Sequence, residues 1–176
     1  MKKTIILLAS LAAISNIFAQ NGGFAKGQKL LNLGIGVNSF YSRGIPLGAS
    51  FEVGITDEIS VGGNVDYLST KYNFGDGSFS KFTALYVGAR GSYHFNELLN
   101  IENEKIDLFA GGTLGFRVLT YRDEFSSFSY TGLFGNGLFL GAFIGGRYYF
   151  NKKVGAFLEL GAIGSTNARL GVSFKF

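Results

Sequence analysis

From residue 31 to the C-terminus, apolar side chains recur at every second position. Leu31, Leu33, Ile35 and Val37 alternate with Asn32, Gly34, Gly36 and Asn38; Leu85, Val87, Ala89, Tyr93 and Phe95 alternate with Tyr86, Gly88, Arg90, Ser92 and His94. A period of two belongs to a strand with unlike faces, not to a helix. The pattern predicts eight such strands, over 31–38, 47–55, 59–67, 85–95, 107–118, 138–150, 154–162 and 169–176. In each, Gly, Ser, Thr, Asn and charged residues share the face opposite the apolar one, with Phe139 and Phe143 as apolar exceptions. Runs of about nine to thirteen residues exceed the usual soluble strand of five or six and match the ~9–11 needed to cross a bilayer at a tilt.

The connections alternate in length. Thr56–Glu58 and Asn151–Lys153 are short, and the acidic 96–105 segment lies on their side; Ser39–Arg43, Thr70–Lys81 and Tyr121–Gly132 are longer, with Ser165–Asn167 a short exception. Short periplasmic turns opposite longer extracellular loops are the habit of outer-membrane barrels. With an even strand count, both termini fall in the periplasm.

The N-terminus carries a different signal. Met1-Lys2-Lys3 precedes an apolar run from Ile5 to Ile14, and Ala19 offers a small residue at a cleavage point. This predicts a secretory signal peptide over 1–19, a short periplasmic segment over 20–27 and a barrel over 28–176. The apolar run is too short for a spanning helix. Removing the leader takes away Lys2 and Lys3 and lowers the net charge from +4 to +2, with no basic stripe that would suggest nucleic acid.

Composition narrows the alternatives. Of 176 residues, 27 are glycine, about twice the usual share, 28 are Phe or Tyr, one is proline and none is cysteine. A chain 47% hydrophobic is not disordered, and without cysteine it is neither a disulfide scaffold nor a thiolate metal site.

Three aromatic pairs close alternate strands on the apolar face: Tyr93 with Phe95, Tyr148 with Phe150, and Phe174 with Phe176. Rings at that position form half of a girdle at the periplasmic boundary. The final strand, Arg169-Leu-Gly171-Val-Ser-Phe174-Lys-Phe176, ends on phenylalanine and resembles the signal by which barrel assembly machinery recognises a last strand. The segments Tyr86 to Phe95 and Gly145 to Phe150, with that ending, resemble the small eight-stranded outer-membrane barrels of the porin family, or outer membrane protein beta-barrel domain. The OmpA transmembrane domain and OmpX share this architecture. The resemblance covers residues 28–176 and implies an all-β, eight-stranded antiparallel up-and-down transmembrane barrel, without the peptidoglycan-binding domain of full OmpA proteins.

Eight strands enclose a space that side chains can fill. The inward face carries Glu52, Asp66, Asp107 and Glu159 with Arg90, Arg117, Arg147, Arg169 and Lys175. Charges of both signs in a low-dielectric tube are expected to pair. If Thr56–Glu58 centres a tight turn, Glu52 lies opposite Gly62, whose missing side chain leaves room for Glu52 to reach Arg90. A charge network of Glu52, Asp66, Arg90, Arg117, Arg147, Glu159 and Arg169 that plugs and stiffens the barrel is the expectation. A gated, low-conductance channel is the alternative.

Other candidates carry less. His94, the single histidine, lies two residues from Ser92, but nothing in the sequence supplies a third catalytic group. Gly111-Gly112-Thr113-Leu114-Gly115 lies mid-strand and is no phosphate loop. Phe40, Tyr41, Tyr72, Phe74, Phe79, Phe125, Phe128 and Tyr130 fall in the longer loops. They fit an upper girdle, or else a contact surface for an extracellular ligand. A soluble lipocalin-type binder would instead put apolar residues inside. The reading is a monomeric outer-membrane barrel with a structural or surface-interaction role, in contact with outer-membrane lipid and lipopolysaccharide, with no catalytic residue, cofactor or metal.

Overall fold

The computed structural model describes residues 24–41, 43–73, 79–123 and 136–176; the leader 1–19 lies outside them. Eight strands follow in order: β1 (Lys29–Gly36), β2 (Leu47–Gly54), β3 (Ile59–Asn73), β4 (Phe79–His94), β5 (Ile106–Asp123), β6 (Gly137–Tyr149), β7 (Val154–Gly161) and β8 (Ala168–Lys175). Each pairs antiparallel with the next, and β1 pairs with β8, so the sheet closes into a barrel. Closure leaves no strand edge unpaired. The seam continues past the strands, where Lys29 N–H donates to Phe176 O and Phe176 N–H to Lys29 O.

The alternation sorts residues by face. Leu33, Val65, Val87, Leu114, Ile144, Leu160 and Val172 stand outward and exposed, while Asn32, Ser50, Asn64, Arg90, Thr113 and Ser173 point inward and are buried. On the outer face of β4 the apolar positions run from Phe95 up to Leu85. Ten residues at about 3.3 Å each, tilted by about 45°, span about 23 Å, close to the ~25 Å apolar band of outer-membrane barrels.

Three strands exceed the sequence expectation. The segments read as loops over Thr70–Lys81 and Tyr121–Gly132 begin as strand: β3 and β4 stay paired up to Asn73 and Phe79, and β5 runs on to Asp123. The outer face changes there from apolar to Ser69, Lys71, Lys81, Thr83 and Thr120, which reads as loop in the sequence. The inner face keeps its period and buries Leu68, Ala84 and Tyr86 against Tyr41, Phe82, Leu119 and Phe139. β1, by contrast, begins two residues early and ends at Gly36, where Val37 N–H turns to Ala168 O.

Aromatics also fill the interior: Tyr86, Tyr149 and Phe143 are buried inside the barrel, on the face where the alternation puts them, and so are Phe109 and Phe157, which the sequence reading does not single out. Each of the three phenylalanines faces a glycine across the ladder: Phe109 opposite Gly145, Phe143 opposite Gly111, Phe157 opposite Gly171. A Cβ on Gly145 would lie 2.5 Å from Phe109 Cζ, and one on Gly111 would lie 2.6 Å from Phe143 Cζ. Part of the glycine excess therefore makes room for rings in a tube too narrow for two side chains abreast. The outward glycines differ, since a Cβ on Gly91 would meet nothing nearer than Ser60 O at 3.7 Å.

Both ends of the barrel are filled. At the end carrying the termini, residues 24–28 fold beneath the opening, with Gly27 N–H donating to Gly54 O and Lys26 N–H to Asp57 Oδ1, and Phe24 is buried. At the opposite end β7 and β8 are short and their 162–167 connection turns inward. Ile163, Ser165 and Thr166 are fully buried there, and Gly164 adopts φ +88°, a backbone conformation that favours glycine.

Gly145→Ala is expected to cost about 1–3 kcal/mol by forcing the Phe109 ring from its place. Gly91→Ala should stay within about 0.5 kcal/mol of wild type. Urea unfolding of the refolded barrel in detergent compares the two, and equal midpoints would contradict the assigned faces.

Candidate functional site in the barrel lumen

Seven of the inward charges form one continuous ladder with His94. Arg169 Nη2 donates to Asp66 Oδ2 at 2.5 Å, and its Nη1 lies 3.9 Å from Glu159 Oε2. Arg90 Nη2 donates to Glu159 Oε1 at 2.7 Å, while Arg90 Nε stands 3.1 Å from Glu52 Oε1. Arg147 reaches the same Glu52 oxygen at 3.4 Å and donates to Asp107 Oδ2 at 2.6 Å. His94 completes the series, with Nδ1 2.7 Å from Asp107 Oδ1. All eight residues are at least 96% buried, so water screens none of these pairs.

Glycine clears the paths that let these side chains meet. Glu52 of β2 pairs with Gly62 of β3, which pairs with Arg90 of β4. A Cβ on Gly62 would lie 2.7 Å from Glu52 Cα. Asp66 of β3 pairs with Gly48 of β2, and Gly48 with Gly34 of β1. The Arg169 side chain crosses from β8 over that glycine pair, so that a Cβ on Gly34 would sit 3.1 Å from Arg169 Cγ and one on Gly48 would run into its guanidinium. Two other pairs are direct cross-strand neighbours, Asp107 with Arg147 and Glu159 with Arg169.

The rings inside the barrel belong to the same system. Arg90 Cζ lies 4.1 Å from the Phe143 centroid and Arg147 Cζ 3.8 Å from that of Phe109. Each guanidinium thus gives its edge to carboxylates and its face to a ring, two contacts its planar shape can make together. Neutral groups fill the remaining positions: Thr113 Oγ1 donates to Asn64 Oδ1 at 2.7 Å, and Asn32 Nδ2 donates to Ser50 Oγ at 3.0 Å.

His94 sits in a trio that the sequence did not indicate. Its Nε2 is 3.0 Å from Ser60 Oγ and its Nδ1 faces Asp107; Ser92 instead donates to Glu52 at 2.5 Å. A Ser–His–Asp arrangement resembles a nucleophilic triad, but the hydrogen-bond inventory reads otherwise. The single Ser60 proton is engaged by the Glu52 carboxylate at 3.0 Å, which can only accept. Ser60 thus directs its proton to a carboxylate and not to the imidazole, which is not the arrangement of a nucleophile and its base. Phe24 also lies on the imidazole, with centroids 3.5 Å apart and planes 3° from parallel.

The other sequence-selected residues fall outside the ladder. Arg117 is inward and half-buried, opposite Tyr86 near the long-hairpin end. Lys175 is half-buried at the end carrying the termini, its Nζ 4.3 Å from the Tyr149 centroid. Tyr93, Phe95, Tyr148, Phe150, Phe174 and Phe176 lie at that same end on the outer face, with Tyr93 edge-on to Phe95 at 5.1 Å and Tyr148 to Phe150 at 6.0 Å. In β8, Gly171 backs onto Gly34 and Arg169 belongs to the ladder. Of the loop aromatics, Phe40 is exposed, whereas Tyr41 turns into the barrel mouth and meets Tyr86 Oη at 2.5 Å. Burial, then that hydrogen bond, holds the Tyr41 phenol well above its ordinary pKa. Tyr72 and Phe79 are strand residues, and Phe74, Phe125, Phe128 and Tyr130 lie outside the described residues. Among the described residues no cluster of three or more His, Cys, Asp or Glu has the geometry of a metal site.

A closed eight-stranded barrel of this kind recurs among solved structures. The Ail protein of Yersinia pestis superposes with a TM-score of 0.56 at 12% identity, over 86% of this chain and 99% of Ail. The N-terminal barrel domain of Pseudomonas aeruginosa OprF gives 0.52 at 18%, over 86% and 98%. Neisserial surface protein A gives 0.52 at 15%, over 85% and 95%. The fold is that of the small eight-stranded outer-membrane barrels. No family model matches the sequence, and no curated protein matches it. Within this architecture, the ladder braces opposite walls: Arg147 of β6 spans to Glu52 on β2 and, through Nε, to Asn32 on β1 at 3.3 Å.

Glu52→Gln leaves Arg90 and Arg147 short of a buried counter-charge and is expected to cost about 3–5 kcal/mol. Urea unfolding measures the loss; an unchanged midpoint would show that Glu52 does not join the two guanidiniums.

Proposed function

We propose that the chain is an integral outer-membrane barrel that acts as a structural or surface-interaction protein of the envelope, with a lumen that is packing and not a path. The observation that carries this reading is the ladder of buried ion pairs, closed by Phe24 at one end and by the 162–167 turn at the other. A filled interior leaves the outer surface and the projecting hairpins as the parts available to partners. The basic and apolar leader over 1–19 supports export, and the phenylalanine-ended last strand supports handling by barrel assembly machinery. The apolar band of about 23 Å and the aromatic pairs at one rim support a membrane setting. On this reading the termini and short turns lie in the periplasm, the β3–β4 and β5–β6 hairpins project outward, and the molecule is a monomer. The engagement of Ser60 by Glu52, together with the stacked Phe24, supports a non-catalytic role for the His94 trio.

Topology is testable because the chain has no cysteine. Lys71→Cys should be labelled by an impermeant maleimide in intact cells, and Asn151→Cys only after the outer membrane is opened. The reverse pattern would overturn the orientation. In planar bilayers the wild-type barrel should show no stepwise conductance, and regular steps would favour the low-conductance channel instead.

A further inference from the structure

At the end of the barrel that carries the termini, the connection from β4 to β5 is built as a rigid block. Residues 96–101 make one helical turn, closed by Asn100 N–H donating to Glu97 O at 3.0 Å and Ile101 N–H donating to Asn96 O at 2.8 Å. Asn100 takes the left-handed conformation, φ +51°, that such an ending requires. The Asn96 side chain bolts the block to β5, donating to Ile106 O and accepting from Leu108 N–H at 3.0 Å. A block fixed in this way nevertheless holds Leu98 and Leu99 outward, 63% and 56% exposed. The neighbouring β2–β3 turn is tied to the foot of β4, where His94 N–H donates to Glu58 O at 2.6 Å.

Charge is segregated around this rim. The connections 55–58 and 96–105 hold Asp57, Glu58, Glu97, Glu102 and Glu104 against Lys105, whereas the β6–β7 turn holds Lys152 and Lys153 and no acid. The Asp57 carboxylate is used within the fold by Lys26 N–H, but Glu97, Glu102 and Glu104 are exposed. A hydrogen bond shared with Glu58, and then the Glu58 charge, hold the Glu97 carboxyl above its ordinary pKa, the mark of crowded carboxylates.

We propose that this corner is a docking surface for a cationic polypeptide segment that carries apolar side chains, with Leu98 and Leu99 as the anchor and Glu58, Glu97, Glu102 and Glu104 as the rim. The inference rests on the outer-membrane reading above, which puts the corner in the periplasm and makes the occupant a periplasmic protein. An exposed apolar pair beside charge of one sign is the make-up of an interaction site. The backbone that presents it needs no ordering at the moment of binding. Burial of the two leucines supplies the affinity, because exposed ion pairs contribute little; the carboxylates select the sign of the partner and speed its approach. Hydrocarbon is the poorer occupant. The leucines lie beyond the girdle residue Phe95, and sinking them would draw the adjacent Glu97 into a medium that solvates it poorly.

The test uses the full barrel refolded into phosphatidylcholine nanodiscs, with folding scored by the heat-dependent shift in electrophoretic mobility. The probe is a fluorescent octapeptide alternating lysine and leucine, followed by anisotropy, with binding to empty discs subtracted. Wild type should bind it about tenfold more tightly than versions with serine for leucine or glutamate for lysine. L98S/L99S and E97Q/E102Q/E104Q should each lose about tenfold in affinity, while K152Q/K153Q, on the basic turn, should lose none. If L98S/L99S fails to fold, L99S carries the test and should weaken binding several-fold. Equal affinity for the lysine–serine peptide, or unchanged affinity in either rim or anchor variant, overturns the docking surface and leaves the outer-membrane reading standing. So does quenching of a fluorophore on Leu99→Cys by brominated acyl chains, which would put the leucines in the bilayer. Failure of wild type to fold in any lipid overturns the outer-membrane reading itself.

Discussion

Glu52 is the point at which the lumen is tied together. Its carboxylate meets Arg90 and Arg147 and accepts from Ser60 and Ser92, so the Arg90–Glu159–Arg169–Asp66 arm and the Arg147–Asp107–His94 arm share one anion. A buried carboxylate with those partners is tolerable; the same group without them would carry an uncompensated charge in a medium that solvates it poorly. The arrangement depends on Gly62, because a side chain there would hold β2 and β3 further apart. The sheet supplies the strand positions, glycine supplies the clearance, and the charges fix which wall faces which.

Much of the architecture was legible in the chain because period two is a physical signature that survives in any barrel with unlike faces. Strand number, the sense of the faces and the inward position of Glu52, Arg90, Arg147 and Arg169 all follow from it. The upper ends of β3, β4 and β5 did not follow, since the outer face there meets a polar environment and its residues resemble loop. The interior aromatics were hidden for another reason. Phe109, Phe143 and Phe157 interrupt the polar face and read as irregularities until register puts a glycine beside each. The His94–Ser60–Asp107 trio was invisible because its members come from three strands. Knowing that Ser60 pairs with Ser92 and that Phe109 pairs with His94 requires registers that alternation alone leaves free.

Aromatic rings and charges, often treated as separate kinds of core, are interleaved here. Phe109 and Phe143 fill volume beside glycine and also cover the faces of Arg147 and Arg90. A guanidinium with its edge toward carboxylates and its face on a ring is shielded from water on several sides. This arrangement packs a tube of this width without a continuous hydrophobic centre, and it leaves little freedom for one wall to move against another. Variation of the hairpins above the barrel is then separable from the stability of the body below.

The seam between β1 and β8 has a further consequence. The two strands that close the barrel lie at opposite ends of the polypeptide, so the last ladder to form joins segments separated by the whole folded chain. Loop closure over that distance is slow and entropically costly. Until it happens, β1 and β8 each expose a row of unsatisfied peptide groups. A barrel of this topology therefore cannot mature strand by strand as it emerges from the ribosome. It must wait as an open, sticky chain and complete itself in one late event, which makes the time before closure, not the stability afterwards, the period in which the molecule is most exposed to aggregation.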